Sequence, residues 1–246
     1  MRILALDTTT PTASAAVWHD GALLGQYTIQ TNTHSTTVLP MIESLLANLG
    51  LTVPELDAMA VSAGPGSFTG VRIGVATIKG LAFSHQIPCI GVSALETLAW
   101  NLTGFEGLLC PVINARRGHV YSALFAADGV HPPVRLTQDD LISVTDLAEI
   151  CREKNLPVYA AGDGYDMLKT AVGTEILRNT PEMYRCPSAF GTACAAAELY
   201  RNAEDPSVFT ESALSPIYLR KSQAEREREE RLAKEQSITQ GEVSHG

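Results

Sequence analysis

The apolar positions change their period several times along the chain, and each change marks an element. Ile3-Leu4-Ala5-Leu6 is a short continuous apolar run ending in Asp7-Thr8-Thr9-Thr10, the pattern of a strand that enters a turn. Ser14 to His19 and Leu23 to Gln30 are β-rich and separated by Asp20-Gly21, whose glycine accepts the positive φ of a tight hairpin. The period then lengthens: Val38, Ile42, Leu45, Leu46 and Leu49 recur at helical spacing, with Thr33 or Ser35 as the cap and Gly50 as the stop. Leu56 to Ser62 reads as a buried strand, Val71 to Phe83 as a helix and Pro88 to Val92 as a strand, and Ser93 caps a helix to about Trp100.

After the polar stretch from Asn101 to Gly107 the chain starts again. Leu108 to Ile113 is an apolar strand, Ala115-Arg116-Arg117-Gly118 a turn, and His119 to Ala126 a strand before the Asp128-Gly129 turn. Thr145 to Lys154 is helical, Val158 to Ala161 is a strand that enters Gly162-Asp163-Gly164, and Ala189 to Asn202 is an alanine-rich helix. Two units that each open with strands and then add helix–strand pairs predict an α/β, duplicated fold: two lobes of mixed sheet flanked by helices, residues 1–104 and 105–220, with a cleft between them. That outline resembles the actin-like ATPases, sugar kinases and heat-shock proteins, where strand-end loops of both lobes hold nucleotide phosphates. Residues 221–246 open with dense mixed charge and hardly any apolar face. Glu227/Arg231 and Glu230/Lys234 fall at helical i,i+4 spacing, but the expectation is a solvated, flexible tail.

One segment breaks every pattern. Gly64-Pro65-Gly66-Ser67-Phe68-Thr69-Gly70-Val71-Arg72-Ile73-Gly74 sets four glycines and a proline between a strand and a helix. Glycine permits close backbone approach and proline fixes its own φ, so this backbone must make one particular turn. A strand–turn–helix junction is the usual phosphate site of α/β proteins. The segment nevertheless lacks the lysine of a P-loop, and Thr69 stands where a dinucleotide fingerprint has its third glycine. Gly70, Gly74 and Thr77 also make a stripe of small residues on the helix. Such a stripe serves packing at home or a subunit interface, and spacing alone favours the first.

Composition adds exclusions. With 27 acidic and 18 basic residues among 246, the formal charge of −9 argues against a nucleic-acid footprint over the whole surface, though not against a local basic patch. Five scattered cysteines without a C-x-x-C pair suit small buried thiols in a reducing compartment. No signal peptide or membrane span is legible, so the expected location is the cytoplasm, with no membrane contact. Asp7 is placed to cap the Thr8-Thr9-Thr10 turn, His34 opens a helix without a second ligand nearby, and Arg72 has a local or a partner carboxylate as its expected mate.

The undecapeptide, together with Ile3 to Thr8, Ile90-Gly91-Val92-Ser93 and Pro216-Ile217-Tyr218-Leu219-Arg220, resembles the bacterial TsaB family, also called YeaZ. The likeness runs from residue 3 to about 220. It implies an accessory subunit of the machinery that places a threonylcarbamoyl group on the tRNA adenosine 3′ of the anticodon, beside the transferase TsaD and the ATPase TsaE. TsaD carries H-x-x-x-H, two metal ligands one helical turn apart, on the helix after the strand that matches Ile90-Gly91-Val92. Here those positions are Ala94 and Leu98. The turn that TsaD uses for phosphate in its second lobe is matched by Ala115-Arg116-Arg117-Gly118.

The resemblance therefore implies a metal-free pseudo-enzyme with no catalytic residues, which dimerises with TsaD through its first lobe and helps form the surface for TsaE and tRNA. Its expected interface is His34, Gly66, Ser67, Phe68, Thr69, Gly70, Val71, Arg72, Gly74 and Thr77. No tightly bound cofactor is expected, ATP or ADP entering only within the complex, and the same face is open to self-association when TsaD is absent. The alternative is an independent enzyme of the same superfamily, a metallo-glycoprotease or an ATP-using enzyme.

Overall fold

The strand residues 3–7 and 58–64 are buried on both faces, and that dictates layers. The computed structural model describes residues 1–31 and 33–220. The expected tail at 221–246 lies outside the described residues. The first unit runs β1 (Arg2–Asp7), β2 (Thr12–His19), β3 (Ala22–Gln30), α1 (His34–Leu49), β4 (Ala58–Gly64), α2 (Phe68–Phe83), β5 (Cys89–Ser93) and α3 (Ala94–Asn101). The second runs β6 (Glu106–Arg116), β7 (His119–Ser122), β8 (Phe125–Asp128), β9 (Val134–Arg135), β10 (Asp140–Ser143), α4 (Val144–Glu153), β11 (Val158–Ala161), α5 (Tyr165–Val172) and α6 (Ala189–Asn202).

The first sheet has the order β3-β2-β1-β4-β5, antiparallel as far as β1 and parallel beyond it. In the second sheet β6 takes β11 in parallel on one side, and β7 and β8 antiparallel on the other. Val112 faces Ser122 and Leu109 faces Phe125, so β7 and β8 keep one register on β6 and amount to a single strand, broken at Ala123-Leu124. There the carbonyl of Leu124 accepts from the amides of Leu136 and Thr137, and its amide donates to Thr137 Oγ1. The outer strand is broken likewise into β9 and β10. A lone parallel bridge from Val158 to Leu177 stands where the fifth strand would lie. The second sheet thus repeats the first strand by strand, and the fold is the duplicated α/β architecture expected. Differences are local: α2 starts at Phe68 rather than Val71, and α5, β9 and β10 are too short or too polar to have been read from the pattern.

Alternation sorts side chains between layers. Leu4, Leu6, Met59 and Val61 join α1 and α2 on one face of the first sheet. Ile3, Ala5, Ala16, Ala58 and Ala60 point the other way, onto Ala189, Ala193 and Ala195 to Ala197 of α6. Alanine facing alanine lets α6 sit close to the sheet without a void. On the second sheet Leu108, Cys110 and Val112 pack with α4 and α5, whereas Leu109, Ile113 and Phe125 pack with Ala94, Leu95 and Leu98 of α3. Each unit's last helix therefore covers the other unit's sheet. The layers are α1/α2, first sheet, α6 with α3, second sheet, and α4/α5.

Beyond α6 the chain returns across the first lobe. Leu214 is buried in the first core, its carbonyl accepting from Lys79 Nζ at 3.0 Å. The amide of Ile217 donates to the Ala63 carbonyl at 2.7 Å. The Tyr218 ring stacks on Phe68 at 4.9 Å, and its hydroxyl accepts from Arg72 Nε at 2.8 Å. Arg220 Nη1 reaches the Ala115 carbonyl of the second lobe at 3.1 Å. The two sequence segments that carry the resemblance most clearly, 64–74 and 216–220, are thus one structural unit. Tyr218→Phe, which keeps the stacking, is expected to cost under about 1 kcal/mol, and Tyr218→Ala about 1–2 kcal/mol, read from urea denaturation midpoints.

Candidate functional site

A cleft of about 1000 Å³ opens between the lobes. The first-lobe wall is built from the turn after β1 (Thr9, Thr10), Gly66 to Gly70, and the start of α1 at Thr33, His34 and Ser35. The opposite wall is Asn114 to Arg117 at the end of β6 and Asp163 after β11, and the returning segment from Ile217 to Arg220 borders both.

The glycine-rich turn is shaped by what lies against it. Gly64 ends β4 at φ +116, where a Cβ would overlap the Ile217 carbonyl oxygen. The Ser67 amide donates to the Thr9 carbonyl at 2.7 Å, and Ser67 Oγ caps α2 by accepting from the Gly70 amide at 3.3 Å. Thr8 Oγ1 donates to the Gly70 carbonyl at 2.8 Å. A Cβ on Gly66 would meet Thr9, one on Gly70 the Thr8 carbonyl oxygen, and one on Gly74 the Thr8 hydroxyl. These glycines exist so that α2 can lie directly on the β1 turn.

The expected interface residues accordingly divide. His34, Gly66, Ser67, Phe68, Thr69 and Gly70 are brought together along the cleft. Gly70, Val71 and Gly74 are buried within the chain, Thr77 is half-buried with its hydroxyl on the Ile73 carbonyl, and Arg72 is exposed. The small-residue stripe is used at home at Gly70 and Gly74. Arg72 has no carboxylate among the described residues: it lies over the Phe68 ring at 3.8 Å and bonds Tyr218. His34 Nε2 is 2.9 Å from the Thr10 carbonyl, tying the start of α1 to the same turn.

Beneath the turn Asp7 caps it, as its place in the sequence leads one to expect, and with it lies a hydroxyl cluster that sequence reasoning missed. Asp7 is fully buried; its Oδ1 accepts from the Thr9 amide at 2.9 Å and the Thr9 hydroxyl at 2.8 Å, while Oδ2 has no hydrogen-bond partner among the described residues. Ser62, Thr97 and Thr192 close a triangle of hydroxyls at 2.9, 3.0 and 3.2 Å between β4, α3 and α6. The one available signal was a serine inside an apolar strand. Burial raises the Asp7 pKa, and the Ser62 and Thr9 hydroxyls and the Thr9 amide oppose that rise. A raised carboxylate destabilises the fold only where the unfolded chain ionises, so its cost appears as pH climbs above about 4. Asp7→Asn is therefore expected to raise Tm by a few degrees at pH 7 and to leave it unchanged at pH 3, measured by calorimetry at both.

Ala94 and Leu98 are fully buried on α3 against the second sheet. Among the described residues no group of three or more His, Cys, Asp or Glu is placed to hold a metal ion. All five cysteines are free; Cys89, Cys110 and Cys151 are buried, Cys194 is half-buried and Cys186 is exposed. No helix among the described residues is long and apolar enough to cross a membrane.

The second-lobe wall is strained and cationic. Arg116, Arg117 and Gly118 have successive φ values of +66, +55 and +74. A non-glycine residue held there costs about 1–2 kcal/mol. On the same wall as the arginines, Asp163 Oδ1 accepts from the Asn114 amide at 2.8 Å, and burial pushes its pKa up.

Comparison with known proteins supplies the lineage. The family model described as TsaD, tRNA N6-adenosine threonylcarbamoyltransferase, matches residues 28–227. A Bacillus subtilis protein named tRNA threonylcarbamoyladenosine biosynthesis protein TsaB is 37% identical over 174 residues, 70% of this chain and 75% of that one. The Escherichia coli protein of the same name is 41% identical over 131 residues, so the match spans about half of each: 52% of this chain and 56% of the relative. A solved Pseudomonas aeruginosa structure, of an uncharacterized protein described as similar to the peptidase YeaZ, superposes with a TM-score of 0.73. It has 27% identity and covers 89% of this chain and 99% of its own. With its length so largely matched and its two signature segments joined in one unit, the chain belongs to the TsaB (YeaZ) family.

Proposed function

We propose that this chain is a non-catalytic dimerisation subunit in tRNA threonylcarbamoyladenosine biosynthesis, which activates a TsaD-type transferase in the cytoplasm. One observation carries the reading. The chain matches the transferase family model over residues 28–227, yet buried aliphatic side chains, Ala94 and Leu98, stand where the resemblance places the two histidine ligands. The partner-facing surface is the exposed side of α1 and α2. Leu39 is 44% and Phe83 71% exposed there, beside the small residues Ala76 and Gly80. An apolar face with little side-chain relief suits a partner helix. TsaE and tRNA join through the complex, ATP or ADP binds only within it, and the same face pairs two copies of this chain when the transferase is absent.

Reconstitution tests this directly. Purified chain, TsaD, TsaE, the carbamoyl-adenylate-forming enzyme and tRNA are expected to give modified tRNA at a rate that collapses when the chain is omitted. Full-rate modification without it overturns the reading. So does steady ATP or peptide turnover by the isolated chain, or stoichiometric zinc or iron bound to it, each of which favours an independent enzyme.

A further inference from the structure

The chain is acidic as a whole, but its cleft is not. The described residues that line it include three arginines, Arg116, Arg117 and Arg220, and a single carboxylate, Asp163, already engaged by the Asn114 amide. Arg220 spends one donor on the Ala115 carbonyl. The guanidinium groups of Arg116 and Arg117 have no hydrogen-bond or ion-pair partner among the described residues. Arg135, by contrast, is held by Glu96 and Asp139, and Arg201 by Glu198. Two adjacent, exposed, unpaired arginines are thus presented at the tip of a hairpin whose left-handed backbone would suit glycine or asparagine better. Opposite them, α1 begins without a side-chain cap and neither α1 nor α2 has an acidic residue in its first turn, so neither helix start sets a negative charge there.

We infer that Arg116 and Arg117, with Arg220 behind them, form a contact for the phosphodiester backbone of RNA. In the reading above, on which this inference rests, that RNA is the tRNA being modified. RNA is favoured over a free nucleotide by the side chains themselves. Small terminal phosphates are cradled by exposed backbone amides at glycine-rich turns. Here two long side chains stand over the turn, an arrangement that suits point-charge contacts along a passing backbone.

The test uses the assembled complex with its transferase, after modification has been shown to depend on the chain; if it does not depend on it, the functional reading fails and not this one. Because glycine fits the left-handed turn, the double variant Arg116→Gly/Arg117→Gly is expected to fold with undiminished Tm and to assemble normally. Its tRNA affinity should fall roughly tenfold at physiological salt, and the slope of log affinity against log salt should shrink by between about one and two units. Arg116→Lys/Arg117→Lys should restore most of that slope. Unchanged tRNA affinity and slope in the glycine variant overturn the inference. Loss of ADP or ATP binding with tRNA binding intact overturns it in favour of a nucleotide, and failure of the folded variant to assemble overturns it in favour of a protein contact.

Discussion

Gly70→Val is expected to lower the melting temperature of the chain by roughly 10 °C, corresponding to about 3–5 kcal/mol. The size follows from what the side chain meets. A Cβ on Gly70 overlaps the carbonyl oxygen of Thr8, which is backbone at the end of a fully buried strand and has no rotamer to offer. Relief requires α2 to move off the β1 turn, and that breaks three contacts together: Thr8 Oγ1 to the Gly70 carbonyl, the Ser67 amide to the Thr9 carbonyl, and the seat of Gly74 on the Thr8 hydroxyl. Gly50→Ala serves as the control. Gly50 has the positive φ that helical Gly70 lacks, but a Cβ there meets nothing within 4 Å, so its loss reports left-handed strain without overlap, about 1 kcal/mol. Calorimetry on the two variants separates strain from overlap. Equal losses would show that the close approach of α2 is not what the glycine-rich turn provides.

Gly80→Arg is expected to do the opposite: to leave the fold intact, with Tm unchanged or slightly raised, while weakening association with the transferase roughly 30-fold or more. Gly80 lies inside α2, exposed, with open space around its Cβ position. Replacing an exposed helical glycine contributes about 1 kcal/mol of helix propensity. A bulky charge beside Ala76 and Phe83 holds a partner helix away and strands a cation in the interface, at a cost of about 2 kcal/mol of binding. Gly74, on the small-residue stripe that spacing in the sequence marks out, is the wrong probe, because any side chain there collides with Thr8 before it reaches a partner. Sedimentation of mixtures of the chain with its transferase gives the answer; unaltered association would remove the α2 face from the interface.

The sequence carried the architecture further than the site. Continuous apolar runs such as Ile3 to Leu6 mark strands buried on both faces, helical spacing such as Val38 to Leu49 states which side is buried, and duplication followed from their order. Breaks in that signal had physical causes. His119 to Ala126 reads as one strand because its side chains alternate as one strand; the interruption at Leu124 comes from hydrogen bonds to Leu136 and Thr137, twelve residues or more away. α5 is only eight residues long and follows a glycine turn, and β9 is two residues. At the site, the glycines announced that something approaches the backbone but not what. That Thr8, Thr9 and Ile217 are the neighbours depends on strand pairing and on the return of the C-terminal segment. The Ser62–Thr97–Thr192 triangle joins three elements over as many as 130 positions and leaves no local pattern. Arg72 was given a local or a partner carboxylate by its charge; among the described residues two aromatic rings hold it.

The exchange of α3 and α6 between the sheets has a consequence for how the chain is made. The inner face of the first sheet is complete in sequence by Ser93, but the alanines that cover it, Ala189 to Ala197, leave the ribosome about a hundred residues later. Until then Ile3, Ile90 and Val92 face solvent or a chaperone. Synthesis order and burial order are out of step, so the native first lobe closes only when nearly the whole chain has emerged.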